Sequence, residues 1–450
     1  MLEVTSTPAV VLNCFRHSGL AIVRSLGRLG VPVYAVHGER TAPAFYSRYC
    51  YEGIVWDVHT APPEESLRFL EDLGRRIGRR SLLITTSDIG AVFVASYAKQ
   101  LANWFIFPEQ NLELVQSLRS KKEMYYLAKK WGVPTPEAVF PCSRTDVEDY
   151  LAAACFPLLL KPISSRASRL PLWMVQTKQE LLEHLESIQE SSIPDYMIQE
   201  YIPGGDEMTW MFNGYFDHTS DCKIGFTGRK LRNYPPYFGG ASLGVCAHNE
   251  EVARMTVEFM KAIGYRGPLD IGYRYDTRDG RYKVHDVNPR IGATFRLFVG
   301  QNGMDVARAL YQDMTGQQVQ PAALQEGRKW IVEDCDWISA LRYHRDGKLT
   351  LRGWYESLRG IDEMSFIAKD DLWPIMSAIS GIIREVLRYA WTRLKGLGRR
   401  QNASQHRVDD HAAEHGMLPA AAAILIGSVA KPKNSASGEN SRSQTGRQEM

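Results

Sequence analysis

The 450-residue chain is 44% hydrophobic and 23% charged, the balance of a globular protein large enough for two or three compact lobes. A formal net charge of +3 is too small to point to nucleic acid, and no motif of that kind occurs. Seven cysteines without a C-x-x-C pair or regular spacing argue against a disulfide framework or structural zinc, and fit a reducing, cytoplasmic compartment.

Residues 1–8 carry no basic segment ahead of an apolar run, so no secretory signal is expected. No uncharged apolar run reaches the roughly 18 residues of a transmembrane helix. AVVLN at 9–13 reads as a short buried strand, HSGLAIVRSLGRLG as an amphipathic helix ending at Gly30, and VPVYAV as the next strand. The rhythm continues through GIVW, the helix PPEESLRFLEDLGRRIG and the strand SLLITT, which predicts an α/β lobe with a parallel sheet. RHSGLA lacks the G-x-G-x-x-G spacing, and Val36 leads into His37 and Gly38 rather than an acidic residue. Both departures argue for a structural lobe rather than a dinucleotide site. Asp88, past the carboxyl end of SLLITT, either lines a ligand crevice or caps the helix that follows.

Residues 112–132 predict one helical stretch closed by Gly132. Lys121 lies early in it, either directed at an anion or part of a solvated face with Lys122, Lys129 and Lys130. In FPLLLKPISSRASR, apolar residues on both sides of Lys161 predict a buried strand, where an ammonium is costly unless an anion meets it. A nucleotide phosphate is one such partner; an internal carboxylate is the other. The following loop offers serine hydroxyls and Arg166 or Arg169. YMIQEY then runs into a Pro-Gly-Gly turn followed by Asp206 and Glu207. FTGRKLRNYPPYFGGASLGV, glycine- and aromatic-rich, predicts a mobile loop bearing Arg229, Lys230 and Arg232, beside a phosphate or simply solvated.

From Gly267 to Leu297 the sequence predicts two strands joined at D-T-R-D-G. Alternation puts Asp286 and Asn288 on one face and Val287 on the other, with Asp270 on the incoming strand. Two carboxylates and an amide oxygen make a hard-oxygen site suited to Mg²⁺, which completes its shell with phosphate and water. Arg290 places a fixed positive charge beside it. His248 and His285 read as incidental, because no second ligand stands at metal spacing. A smaller mixed region is predicted over 336–398. Its stretch 374–397 carries an apolar stripe among Arg384, Arg388, Arg393 and Lys395: a docked helix, or one in weak peripheral contact with a membrane surface. The composition of 399–450 predicts disorder.

HDVNPR resembles the metal-binding signature of the ATP-grasp superfamily, and Lys121, Lys161 and QEYIPGGDE fall in the matching order. The resemblance spans roughly 9–335 and lies nearest the carboxylate–amine ligase branch, with D-aspartate ligase-like and carbamoyl-phosphate synthetase-like members. It implies α/β and α+β architecture: a Rossmann-like lobe over 1–110, then a two-lobed ATP-grasp domain with an N-lobe at 111–195 and a C-lobe at 196–335. It also implies ATP and Mg²⁺, or Mn²⁺ in its place, as cofactors. Lys121 and Lys161 then meet the phosphates, the backbone of Gln199, Glu200, Tyr201 and Ile202 reads the adenine edge, and Glu207 binds the ribose. Asp270, Asp286 and Asn288 would hold the metal, and Arg290, Lys230 and Arg232 the charge of phosphoryl transfer. Gly272 stands where many members carry the first metal carboxylate, and Asp270 is its candidate substitute. The implied reaction activates a small carboxylate as an acyl phosphate, which an amine (or thiol) attacks with release of ADP and phosphate. Oligomer formation is open. A catalytically silent ATP-binding regulatory or scaffold protein is the alternative.

Overall fold

A computed structural model describes residues 4–14, 16–152, 154–163 and 172–376. Arg166, Arg169 and the expectations for 377–450, including most of the 374–397 helix, lie outside the described residues. The apolar runs form three sheets. β1 (Ala9–Leu12), β2 (Val33–His37), β3 (Cys50–Val55), β4 (Ser81–Thr85) and β5 (Phe105–Ile106) build a parallel sheet in the order β3-β2-β1-β4-β5. β1 is buried along its whole length, which is why it reads as a continuous apolar run rather than an alternation. The strand order reverses at β1, so a crevice opens beyond the carboxyl ends of β1 and β4. Asp88 sits there without capping its helix; the cap is Ser87, whose hydroxyl accepts the Gly90 N–H.

The second sheet is antiparallel: β6 (Ala138–Val139), β7 (Leu158–Pro162), β8 (Trp173–Val175) and β9 (Tyr196–Glu200), in the order β6-β9-β7-β8. The third has seven strands, β10 (Thr209–Phe216), β11 (Cys222–Tyr234), β12 (Gly240–Cys246), β13 (Gly267–Asp276), β14 (Arg281–Asn288), β15 (Lys329–Ile331) and β16 (Ile361–Met364). They run in the order β14-β13-β10-β11-β12-β15-β16. Arg229, Lys230 and Arg232 therefore lie in strand β11, not in a mobile loop. Pairing to β10 on one edge and β12 on the other overrides the turn-like composition. The 336–398 region contributes β16 to the same sheet through a parallel pairing with β15.

The helical run at 112–132 is broken into Leu112–Arg119 and Lys121–Lys130. Ser120 caps the second helix by accepting the Glu123 N–H, and S-x-x-E is itself a helix-start signal. Leu118, Met124 and Ala128 pack with Phe212, Phe259 and Tyr273 against the third sheet. Another core joins Val11, Leu20 and Val33 of the first lobe to Phe226, Phe298 and Trp330. The first lobe and the large sheet are thus one packed body. The small sheet has a core of its own, from Val147 to Ile198, and meets that body across a cleft. Among the described residues no helix is long and apolar enough to cross a membrane.

Candidate functional site

A cavity of about 770 Å³ fills the cleft between the second and third sheets. On the small-lobe side β7 carries Lys161, which is only 8% exposed. Burial, followed by the charge of Lys121, lowers its pKa to about 7, with Asp286 opposing. No carboxylate among the described residues forms an ion pair with Lys161, so its charge is left to the cavity. Lys121 begins the Lys121–Lys130 helix and its Nζ donates to the Pro162 carbonyl at 2.8 Å. Burial lowers its pKa, again against Asp286. Lys230 reaches in from β11, its Nζ donating to the Gly239 carbonyl at 3.0 Å. Burial depresses it while Asp286, Asp270 and Asp206 hold it up. Three partly desolvated ammonium groups therefore share Asp286 as a counter-charge.

The chain crosses between lobes just after β9. The Glu200 N–H donates to the Glu137 carbonyl at 2.9 Å and the Tyr201 N–H to the Pro157 carbonyl at 3.3 Å. The Ile202 N–H has no acceptor among the described residues, while the Ile202 carbonyl is fixed by Arg274 Nε at 2.9 Å. This hinge thus offers one free donor beside the cavity, which Gln199, Glu200, Tyr201 and Ile202 all line. The Glu200 carboxylate is committed elsewhere, to Lys283 at 3.0 Å and Arg278 at 2.8 Å. Glu207 is exposed at the cavity wall. Its turn needs glycine at Gly204, whose φ of 115° lies in the left-handed region. The neighbouring Asp206 instead accepts Asn233 Nδ2 at 2.8 Å.

Across β13 and β14 Asp270 pairs with Asn288 and Gly272 with Asp286. Asn288 Nδ2 donates to Asp286 at 2.9 Å and lies 3.4 Å from Asp270 Oδ2; its Oδ1 accepts Arg290 at 2.9 Å. Arg290 Nε donates to Asp88 at 2.7 Å, tying the hairpin to the first lobe. Burial works against the Arg290 charge, but Asp88 and Asp270 carry its pKa upward. Burial pushes the Asp270 carboxyl up to about 6, with Arg290 opposing and Asp286 adding.

Asp286 and Asp270 bring two carboxylates together beside Asn288, and carboxylate oxygens are the ligands a hard divalent cation takes. No group of three or more Asp, Glu, His or Cys among the described residues is placed to hold a metal. Asn288 turns its Nδ2 to the two carboxylates while its Oδ1 accepts Arg290, so the amide would have to turn over for its oxygen to join them. Gly292 packs directly on this cluster: a Cβ there would stand 2.3 Å from Asp270 Cγ. Gly292→Ala is expected to displace Asp270 and weaken Mn²⁺ binding, measured by electron paramagnetic resonance, by about tenfold or more. Unchanged binding would remove Asp270 from the ligand set.

Arg232 lines the same cavity as Lys230 but is engaged by a carboxylate. Its guanidinium is held by Asp336 through Nε–Oδ1 at 2.8 Å and NH2–Oδ2 at 2.9 Å, and is nearly excluded from solvent. Desolvation and the bidentate partner commit it to the packing of β11 against the Glu333–Arg345 helix. Three residues were missed by sequence reasoning. Arg274 clamps the hinge through Ile202, Gly204 and Thr209. His285 lines the cavity, and Asn213 is buried opposite Asp270. Asn213 was findable as a lone amide inside the apolar strand TWMFNGYF.

No protein-family model matches the chain. It is 26% identical over 294 residues to D-aspartate ligase of Enterococcus faecium (strain Aus0004), covering 62% of this chain and 70% of that protein. It is similar in structure to N5-carboxyaminoimidazole synthetase from Staphylococcus aureus complexed with ADP, with a TM-score of 0.57 and 11% identity. That match covers 77% of this chain and 88% of the other. L-amino acid ligase from Bacillus licheniformis matches with a TM-score of 0.53 and 15% identity, over 71% of this chain and 78% of its own. The chain has the ATP-grasp fold. In the ATP-grasp architecture here, the parallel sheet forms the preceding Rossmann-like lobe and the other two sheets enclose the cavity. The structural likenesses at these identities establish the fold, and the roles of individual residues rest on geometry.

Proposed function

We propose that this protein is an ATP-dependent carboxylate–amine ligase that works through an acyl phosphate. The convergence of Lys121, Lys161 and Lys230 around Asp286, next to a hinge with one free backbone donor, carries the reading. In it the adenine edge meets the Ile202 N–H, Glu207 takes the ribose hydroxyls, and the three lysines meet the phosphates. Asp270, Asp286 and Asn288 would hold Mg²⁺, which neutralises phosphate charge when bound.

The bond between the γ-phosphorus and its bridging oxygen to ADP breaks as a substrate carboxylate oxygen takes the phosphoryl group. The amine then attacks the acyl carbon, loses a proton and expels phosphate, leaving an amide. Arg290, oriented by Asp88 and Asn288, supplies fixed positive charge for the oxygen anions of both steps. The relation to a D-aspartate ligase supports an amino acid as one substrate.

The test is ADP release from ATP and Mg²⁺ with pooled amino acids and small carboxylates, with Lys161→Ala as control. Release that depends on a pool and vanishes in the variant is expected; dividing the pool then names the substrates. Gly272, which leaves the position opposite Asp286 without a carboxylate, favours a second reading of ATP binding without turnover. Nucleotide binding with no stimulation by any pool would select that reading over ligation.

A further inference from the structure

β14 holds one residue more than β13 between the Gly272–Asp286 and Tyr273–Val284 pairs, and the extra residue is His285. A bulge breaks strict alternation. Val284 and Val287 both stay in the core, at 0% and 3% exposure, while His285 turns to the cavity. Room for the ring comes from Gly272: a Cβ there would stand 3.0 Å from His285 Cε1 and 3.1 Å from Nε2. Any longer side chain at 272 would have to move the imidazole. The two positions are therefore one spatial unit, with a ring where the neighbouring strand has no side chain.

The largest electrostatic influences on this ring come from Lys230, Lys161, Arg274 and Lys121, all cations. Its Nδ1 is buried and has no hydrogen-bond partner among the described residues. A polar ring edge that faces cations is useful when an anion lies between them, since imidazole N–H and ammonium groups then donate to the same acceptor.

We propose that His285 is a nucleotide ligand, its imidazole N–H donating to the polyphosphate in the room left by Gly272. The proposal rests on the nucleotide reading above. Its consequence is a shift in who holds the anion. Fixed protein donors take up part of the phosphate binding that a divalent ion otherwise carries, so nucleotide binding tolerates removal of the metal.

Calorimetric titration of the full chain with ADP, once in EDTA and once in excess Mg²⁺, tests this. Wild-type affinity in EDTA is expected within about tenfold of that in Mg²⁺, and His285→Leu to weaken EDTA binding by about tenfold or more. His285→Gln, which keeps an N–H donor, is expected to recover most of that loss. Gly272→Ala leaves the histidine in place but pushes the ring, and is expected to give a smaller loss of the same sign. Melting curves confirm that the variants are folded. Equal affinities for wild type and His285→Leu would overturn the proposal, as would wild-type binding abolished by EDTA. Failure of wild-type protein to bind ADP in either condition would overturn the nucleotide reading itself.

Discussion

Lys161→Met is expected to raise the melting temperature of the nucleotide-free protein and to weaken ADP binding by about a hundredfold or more. Both effects come from one desolvated ammonium. Lys161 has its pKa lowered from 10.5 to about 7, chiefly by burial and then by Lys121. A lysine depressed on folding costs stability wherever the unfolded chain binds the proton more tightly. The cost is full below about pH 7, falls as pH rises from 7 towards 10.5, and is absent above that. Methionine removes it, so the gain in melting temperature is largest at pH 6 and shrinks by pH 9. A shift of this size corresponds to a few kcal/mol in order of magnitude. Met also keeps apolar volume on the face of β7 that Leu159 shares at the cavity wall. The binding loss follows because Lys161 has no competing carboxylate partner among the described residues. Scanning calorimetry from pH 6 to 9 and ADP titration read the two effects separately. A variant that is less stable at pH 6 but binds ADP normally would remove Lys161 from the nucleotide site.

The first lobe was legible in the sequence because β1, β2 and β4 are largely buried apolar runs and the helices between strands carry apolar faces. The same holds for Lys161, a lone charge in an apolar strand, and for Asp286 and Asn288, placed by simple alternation. Three features resisted for different reasons. His285 was read as incidental because no second ligand stands at metal spacing, and the one-residue bulge at its position has no sequence signature. The basic segment of β11 looked like a loop because Gly, Pro and aromatic residues crowd its end, while antiparallel pairing with the flanking strands β10 and β12 makes it a strand. Asp88 and Arg290 are 202 positions apart, and nothing local announces that a helix start in one lobe orients a cation in another. The break at Ser120 was readable from its capping box. Features set by local chemistry could be read directly, and those set by strand pairing and register, or by contacts between lobes, could not.

Asp336→Ala is expected to destabilise the protein by about 3–5 kcal/mol, because it strands the Arg232 guanidinium without its partner. The carboxylate also accepts Ser242 Oγ at 3.0 Å and Trp354 Nε1 at 3.0 Å, so the deletion leaves further donors unsatisfied. The double replacement Arg232→Met with Asp336→Leu takes away both charges and keeps apolar volume, and is expected to cost far less than Asp336→Ala alone. Urea unfolding of the single and double variants measures this difference. ADP titration of the double variant then separates two roles for Arg232. If the residue serves only the packing of β11 on the Glu333–Arg345 helix, affinity stays within a few-fold of wild type. If a stable double variant loses ADP binding by tenfold or more, Arg232 reaches the phosphates during the reaction and the sequence reading of it is restored. The bidentate geometry favours the first result. A guanidinium whose Nε and NH2 are both spent on Asp336, and which also donates to Ser357 at 3.1 Å, would have to break those bonds in a buried setting to meet a phosphate. Lys230, two residues earlier on the same strand, reaches the cavity with a single carbonyl contact to give up.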